Sequence, residues 1–318
     1  MFSLSIMALS DRHTSARIGD AFFKGVCYFF ALAVILLMVL ILIVLFKESW
    51  LSIKTFGFKF FYSTAWNPVR SDFGALPAIY GTVMSSLIAI IIALPVSIGI
   101  AIFLTEMAPK GLQGPIGVSI ELLASIPSII YGMWGLFIFA PVLSDYVEPA
   151  ILSHLSFIPM FRGSPMGIGM LPAGFILAIM IIPFISSVCR DVFRMVPSIL
   201  KESGYGVGAT RWEVIRRIVI PFAKSGIVGA VILGLGRALG ETMAVTFVIG
   251  NSHDISLRLL DPATSISASL ANEFTEAVED LYLSSLVELG LILFIITFVV
   301  LALAKILIAR FAQKGGAR

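Results

Sequence analysis

The chain has 318 residues, 58% hydrophobic and 13% charged, with a mean hydropathy of +1.02 and a net charge of +3, which excludes an ordinary soluble domain. Its apolar runs are too long and unbroken for membrane β-barrel strands, so the composition predicts an all-α polytopic membrane protein. Neither the cysteines, Cys27 and Cys189, nor the three histidines have metal-ligand spacing, and the absence of a Gly-x-x-x-x-Gly-Lys-Ser/Thr motif excludes a P-loop.

Six apolar runs predict six transmembrane helices within one domain, residues 26–310. The first run follows a basic N-terminal segment, residues 1–25, and it is too long for a signal peptide, so we expect a retained span. A polar region, residues 190–224, separates the fourth and fifth runs, and a basic tail, residues 311–318, follows the sixth. We predict the spans at 26–46, 81–104, 116–139, 167–188, 226–250 and 283–308.

Lysine and arginine residues are distributed unevenly between the two sides that six spans create. If both termini, the turn at Lys110 and the polar region lie on one side, that side carries 15 of the 22 basic residues and the other carries six. Because basic loops are retained in the cytoplasm, we predict that the termini and the polar region are cytoplasmic. The outer loops then carry ten acidic residues against six basic ones, a charge balance that repels a free anion.

The polar region contains a segment from Glu202 to Pro221 that combines glycines, arginines and apolar residues. Trp212, Ile215 and Val219 recur near helical spacing, and three glycines interrupt the first half of the segment. This pattern predicts a short helix, a turn and a second helix. We expect Pro221 to end the second helix and to open the fifth span.

The spacing within this segment resembles the Glu-Ala-Ala coupling loop of ABC importer permeases. In that pattern three residues separate the motif from a glycine, and nine more precede Ile-x-Leu-Pro. The resemblance implies that the segment docks a cytoplasmic ATPase, and an ordinary amphipathic loop is the alternative. The matching positions are Glu202, Ser203, Gly204, Gly208, Ile218 and Pro221, with Ser203 and Gly204 in place of the alanines and Ile220 in place of the leucine.

Two opposite charges lie within the predicted fifth span. Arg237 and Glu241 are four residues apart, so a continuous helix would place them on one face. Gly236 and Gly240 form a small-x-x-x-small pair that permits another helix to approach. Because charges at membrane depth are costly, we expect this pair to face protein or water.

Two roles fit this pair of charges. In the first, the two residues form a structural ion pair that fixes helix packing. In the second, Arg237 lines an anion path, because a guanidinium can hold two oxygens of a tetrahedral oxyanion. Glu241 would then position the arginine or accept a hydrogen bond from a protonated oxyanion. Glu121 and Glu288 lie nearer to span ends, where interfacial or helix contacts explain them as well as a function does.

Longer strings extend the resemblance over nearly the whole chain from about Gly74. Residues 125–135, 236–245 and 269–274 look like those of PstC-type permeases of bacterial phosphate importers, within the binding-protein-dependent transport family. The resemblance implies a type I ABC importer permease fold. It also implies a permease subunit that is not an enzyme, uses no cofactor or metal, and moves phosphate through the inner membrane.

The same resemblance implies a set of partners. These are a second, PstA-type permease subunit, a cytoplasmic ATPase dimer, a periplasmic phosphate-binding protein and the lipid bilayer. Three alternatives remain open. The chain could be a permease of a sulfate or molybdate importer, an ion-coupled secondary transporter with Glu121, Glu241 or Glu288 as proton carriers, or a membrane scaffold or sensor.

Overall fold

The computed structural model describes the backbone of residues 2–315 and the side chains of residue 20 and residues 22–306. The chain divides into two compact units, Met1–Glu48 and Ser49–Arg318. The first unit is a single helix, α1 (Phe2–Glu48). Most side chains of the predicted N-terminal segment, residues 1–25, and all those of the predicted tail, residues 311–318, lie outside the described residues.

The second unit consists mainly of helices that are interrupted by short breaks or by wider, π-helical turns. A short antiparallel hairpin pairs β1 (Trp66–Asn67) with β2 (Asp72–Phe73). The helices are α2 (Trp50–Phe56), α3 (Lys59–Tyr62), α4 (Leu76–Ile102), α5 (Lys110–Ala124), α6 (Ser128–Trp134), α7 (Ala140–Val142), α8 (Glu148–Leu155), α9 (Met170–Arg194), α10 (Ser198–Gly206), α11 (Arg211–Val214), α12 (Ile220–Leu239), α13 (Met243–Val248), α14 (Ile266–Glu273) and α15 (Asp280–Gly315). The π-helical turns are Phe103–Met107, Gly135–Phe139, Leu143–Val147 and Ile215–Val219.

Within the described residues, six helical stretches are long and apolar enough to cross a membrane, as predicted. The first, second, fourth and sixth lie close to the predicted ranges, whereas the third and fifth are displaced. The stretches are Phe22–Glu48, Leu76–Met107, Ser128–Leu155, Met170–Arg194, Arg211–Leu239 and Asp280–Ile306.

The third predicted range, 116–139, lies across a break. Helix α5 ends at Ala124, and α6 begins at Ser128, immediately after Pro127 with ψ of 138°. A proline disfavours helical geometry in the residue before it, so Ile126 leaves the helix and the chain turns there. The apolar composition continues through the break, which explains why the composition alone did not locate it.

The fifth predicted range, 226–250, is displaced toward the N-terminus. The expectation that Pro221 ends a helix is wrong, because the π-helical turn Ile215–Val219 carries the helix past the proline. The Ile220 amide donates to the Ile215 carbonyl, five residues back, so the widened turn accommodates a residue that lacks an N–H group. The resulting helix therefore starts at Arg211 and ends at Leu239.

Helix α9 lies at the centre of the main core. It packs against α4, α5 and α12, and the side chains of Ile176 and Ile181 are fully buried. Gly174 permits close packing, because a Cβ atom there would lie 2.5 Å from Ile88 Cγ2, and Gly234 of α12 would likewise carry a Cβ 2.7 Å from the Ile185 side chain. One packed core therefore holds the helices that carry the candidate sites.

A second, smaller cluster lies where the hairpin, α14 and the first part of α15 meet. Its members are buried aromatic and aliphatic side chains. They are Phe60, Phe73, Ala75, Ala78, Ile266, Tyr282, Leu286, Leu289 and Ile292.

Candidate coupling and translocation sites

The coupling segment, residues 198–221, contains α10, a turn and the start of the long helix. The predicted helix, turn and second helix are therefore present. Glu202 and Ser203 lie on the exposed face of α10, whereas Gly204 is buried. The first two motif positions are thus available to a partner, and the third faces the protein.

Gly204 and Ile218, two positions of the predicted motif, face one another. A Cβ atom at Gly204 would lie 2.6 Å from Ile218 Cδ1 and 3.1 Å from Val214 Cγ2. Even an alanine would require these side chains to move. The departure of this sequence from the Glu-Ala-Ala pattern at Gly204 thus has a packing reason.

Gly208 forms the turn of the coupling segment. Its φ of +85° lies in the left-handed region that favours glycine, while the space where a Cβ would stand is open. The following helix starts at once, because the Thr210 hydroxyl accepts from the Glu213 amide and the Glu213 carboxylate accepts from the Thr210 amide at 2.9 Å. The sharp turn therefore depends on the backbone conformation of Gly208.

An ion pair joins α10, the first helix of the coupling segment, to the end of the second candidate span. Lys201 Nζ lies 2.5 Å from Glu106 Oε1, and the side chains are 21% and 7% exposed. Glu106 belongs to the π-helical turn that extends α4. Lys201 precedes Gly204 by three residues, so both lie on the inward face of α10. This pair links α10 to a candidate membrane helix.

A second ion pair joins α9 to α5. Arg190 Nη2 lies 2.5 Å from Glu121 Oε1, and the arginine is buried. Gly117 makes room for this guanidinium, because a Cβ there would lie 2.5 Å from Arg190 Nη1. Glu121 is therefore a helix-contact residue in this structure.

Arg237 lies in the last turn of α12, at the far end of the helix that begins in the coupling segment. Its side chain is exposed, and its guanidinium carbon lies 5.8 Å from the centroid of the Phe184 ring. Among the described side chains no carboxylate forms an ion pair with it. A positive charge therefore remains available at this position.

Glu241 does not share a helical face with Arg237, so that prediction is wrong. Helix α12 ends at Leu239, and Glu241 lies in the break before α13. Its carboxylate is 3.5 Å from the Ala244 amide, and its carbonyl accepts a 2.8 Å hydrogen bond from the Ser267 hydroxyl. The break, residues 240–242, interrupts the helix within an otherwise apolar region, and Gly240 is exposed.

The helix that follows the break packs closely on α6. A Cβ at Gly132 would lie 2.7 Å from the Phe247 ring, and a Cβ at Gly135 would lie 2.9 Å from Val248 Cγ1. The same Cβ at Gly132 would lie 3.0 Å from Ala244 Cα and 3.1 Å from the Met243 carbonyl oxygen, so two of the strings that carried the resemblance, residues 125–135 and 236–245, are in contact.

Sequence reasoning missed the partners of these charges. Neither Glu106 nor Lys201 was predicted to have a role, Glu121 had no assigned partner, and Glu288, expected near a span end, is 2% exposed. Lys201 was the available signal, since a charge on the inward face of a helix requires a partner. The described residues contain no group of three or more His, Cys, Asp or Glu side chains that could hold a metal ion.

Comparison with known families gives one match, "Binding-protein-dependent transport system inner membrane component", over residues 97–313. The chain is 58% identical to a "Phosphate transport system permease protein PstC" of Mesorhizobium japonicum, over 97% of this chain and 96% of the relative. It is 52% identical to a protein of the same name from Pasteurella multocida, over 93% of this chain and 94% of that relative. A "Probable phosphate transport system permease protein PstC" of Methanocaldococcus jannaschii is 40% identical over 84% of this chain and 86% of that relative.

Two solved structures share the chain's architecture. One is a bacterial alginate ABC transporter in complex with alginate pentasaccharide-bound periplasmic protein, with a TM-score of 0.59 and 17% identity over 90% of this chain and 94% of that chain. The other is the MetNI methionine ABC transporter in an inward facing conformation, with a TM-score of 0.55 and 15% identity over 74% of this chain and 94% of that chain.

Proposed function

This chain belongs to the family of binding-protein-dependent transport system inner membrane components, and we propose that it is the permease subunit through which an ATP-driven importer moves inorganic phosphate. It is a multi-pass inner-membrane protein with the predicted type I ABC importer permease fold. The observation that carries the choice of phosphate is the near-full-length similarity to permeases of phosphate transport systems.

The partners in this proposal are a second, PstA-type permease subunit, a cytoplasmic ATPase dimer that hydrolyses the ATP, and a periplasmic phosphate-binding protein. The distribution of basic residues supports cytoplasmic termini and a cytoplasmic coupling segment, within reach of the ATPase. The acidic outer loops support delivery by a binding protein, since they would repel free phosphate.

Coupling follows from the continuity of one helix. The ATPase docks on the exposed face of α10, at Glu202 and Ser203. The adjacent helix runs without a break from Arg211 to Leu239, 29 residues or about 43 Å, and carries Arg237 in its last turn. A movement of the coupling segment therefore displaces Arg237, the candidate anion-binding residue, as a rigid-body shift of the helix.

The available charge of Arg237 suits the passage of an oxyanion. A guanidinium can offer two donors to a pair of phosphate oxygens, and these hydrogen bonds replace part of the hydration that the anion loses. In this proposal Glu241 lowers the net positive charge near the path, so the anion is released rather than trapped.

The test is reconstitution of the purified complex in proteoliposomes. We expect a separate ATPase to co-purify, and phosphate, rather than sulfate or molybdate, to stimulate ATP hydrolysis and to be taken up with ion gradients collapsed. Stimulation by sulfate or molybdate would identify another oxyanion importer. Uptake driven by an ion gradient without ATP would identify a secondary transporter.

A further inference from the structure

Helix α14 ends at a carboxylate that is held by three other segments. Glu273 Oε2 accepts hydrogen bonds from Trp66 Nε1 and Tyr282 Oη, each at 2.6 Å, and Oε1 lies 2.9 Å from His253 Nε2. The Glu273 side chain is 17% exposed. Because an ionised carboxylate only accepts, all three partners act as donors.

Ring packing makes this end of α14 rigid. Trp66 and His253 stack with centroids 5.0 Å apart at 5°, and Phe73 and Tyr282 stack at 5.1 Å and 7°. Burial raises the pKa of the Glu273 carboxyl, but the hydrogen bonds from His253, Tyr282 and Trp66 outweigh burial and hold the pKa below its ordinary value. The carboxylate therefore stays charged and fully bonded.

The other end of α14 is fixed beside the break that follows Arg237. The Ser265 hydroxyl caps the helix by accepting from the Ala268 amide, and the Ile266 amide donates to the Thr82 hydroxyl of α4 at 2.9 Å. One residue further on, the Ser267 hydroxyl donates to the Glu241 carbonyl at 2.8 Å. This end therefore holds the backbone of the candidate translocation site.

We propose that α14 is a rigid link between the outer loops and the translocation site, with Glu273 and Ser267 as positioning residues at its two ends. Eight helical residues extend about 12 Å, and both ends are bonded to different parts of the chain. When the binding protein displaces the outer loops, the link carries that displacement to the break at Glu241. This inference rests on the proposed function and adds a route by which docking opens the path.

The test compares variants in the reconstituted importer. Glu273→Ala and Ser267→Ala should each lower the maximal phosphate uptake per complex at least severalfold, with complex recovery and unstimulated ATP hydrolysis unchanged. The binding-protein concentration that gives half-maximal stimulation should stay constant, because the carboxylate lies beneath the surface. The double variant should be no worse than the more severe single variant, since both act through one helix.

Asn272→Ala is the matched control, because Asn272 is the exposed neighbour of Glu273 on the same helix. Additive losses in the double variant, a changed half-maximal concentration with unchanged maximal uptake, or reduced complex recovery with normal uptake per complex would each overturn the link. Failure of the proposed function itself would be distinct, because the unmodified complex would then not import phosphate.

Discussion

At the scale of single residues, Arg237 is the side chain on which transport should depend most. It is a cation within a long apolar helix, where a charge costs about 2.5–3.5 kcal/mol. The structure gives it an aromatic neighbour, Phe184, but no ion pair with Glu241 among the described residues. No ion pair within the described residues explains the charge, and we propose that an anionic substrate does.

We expect Arg237→Gln to reduce phosphate uptake about tenfold or more, since a charged hydrogen bond contributes about 1.5–3 kcal/mol and 1.4 kcal/mol is tenfold. Arg237→Lys should retain part of the uptake, because charge remains without the two-pronged geometry. Glu241→Gln should be milder than Arg237→Gln. Uptake and complex recovery would be measured together.

The decisive comparison is the neutral double variant, Arg237→Gln with Glu241→Gln. If the two residues form a structural ion pair in the assembled importer, the double variant should recover transport. Continued loss in the double variant, with normal assembly, is the result that the anion path requires.

The sequence predicted Arg237 as a candidate but misplaced Glu241. A four-residue spacing implies a shared face only if the helix continues, and here it stops at Leu239. The hydrogen bond from Ser267 to the Glu241 carbonyl helps to fix the break, and Ser267 is 26 residues away. Glu106 and Lys201 are even further apart, at 95 residues, so helical periodicity carries no information about such pairings.

At the scale of elements, the coupling segment depends on a conformation rather than on a side chain. Gly208→Leu should leave the subunit in the membrane but release or uncouple the ATPase, because a leucine is strained at φ +85°. Gly208→Asn should be milder, since asparagine tolerates the left-handed region. Retention of the ATPase in pull-down and uptake per complex are the measurements.

Gly206→Leu is the matched control for this prediction. The space beside Gly206 is also open, but Gly206 lies in α10 with helical geometry. Normal coupling in Gly206→Leu would attribute the Gly208 effect to backbone strain. Equal loss in both variants would instead indicate that a side chain here obstructs the partner surface, which contradicts the conformational argument.

The ion pair between Lys201 and Glu106 should transmit force between α10 and α4. Lys201→Met leaves a buried carboxylate without a partner, a change that costs about 3–5 kcal/mol, so it should be more damaging than Glu106→Gln. The exchange Glu106→Lys with Lys201→Glu should recover part of the lost uptake per complex. Lys110→Met, at an exposed lysine near the same turn, should have no effect. Uptake in Lys201→Met that equals the unmodified value would remove this pair from the coupling route.

Apolar length placed helices such as Leu76–Met107 and Asp280–Ile306 within a few residues of the predicted ranges. It misplaced the helices beside Pro127 and Pro221, because these two prolines have opposite effects on the helix. Pro127 marks a break, whereas a π-helical turn carries the chain past Pro221. Local sequence is ambiguous between these outcomes, because each depends on whether neighbouring backbone groups find other partners.

At the scale of the whole molecule, orientation in the membrane rests on the distribution of basic residues. The bias of 15 of the 22 basic residues toward one side is large, and it predicts that the coupling segment lies in the cytoplasm, where we propose that the ATPase docks. The same bias predicts that α14, with Glu273 and the side chains bonded to it, lies on the opposite, outer side. A reversed orientation would therefore remove both the coupling argument and the proposed link.

Single cysteines at very exposed positions test this orientation. Val278 and Val207 are 92% and 86% exposed in this chain, so a thiol at either position is accessible to reagents. In a background without Cys27 and Cys189, a membrane-impermeant maleimide added to intact cells should label Val278→Cys and not Val207→Cys. After the membrane is permeabilised, in cells that lack the ATPase partner, both should be labelled. Ser153→Cys, on another outer loop, should behave like Val278→Cys. Labelling of Val207→Cys in intact cells would reverse the topology, and with it the assignment of the coupling segment to the cytoplasm.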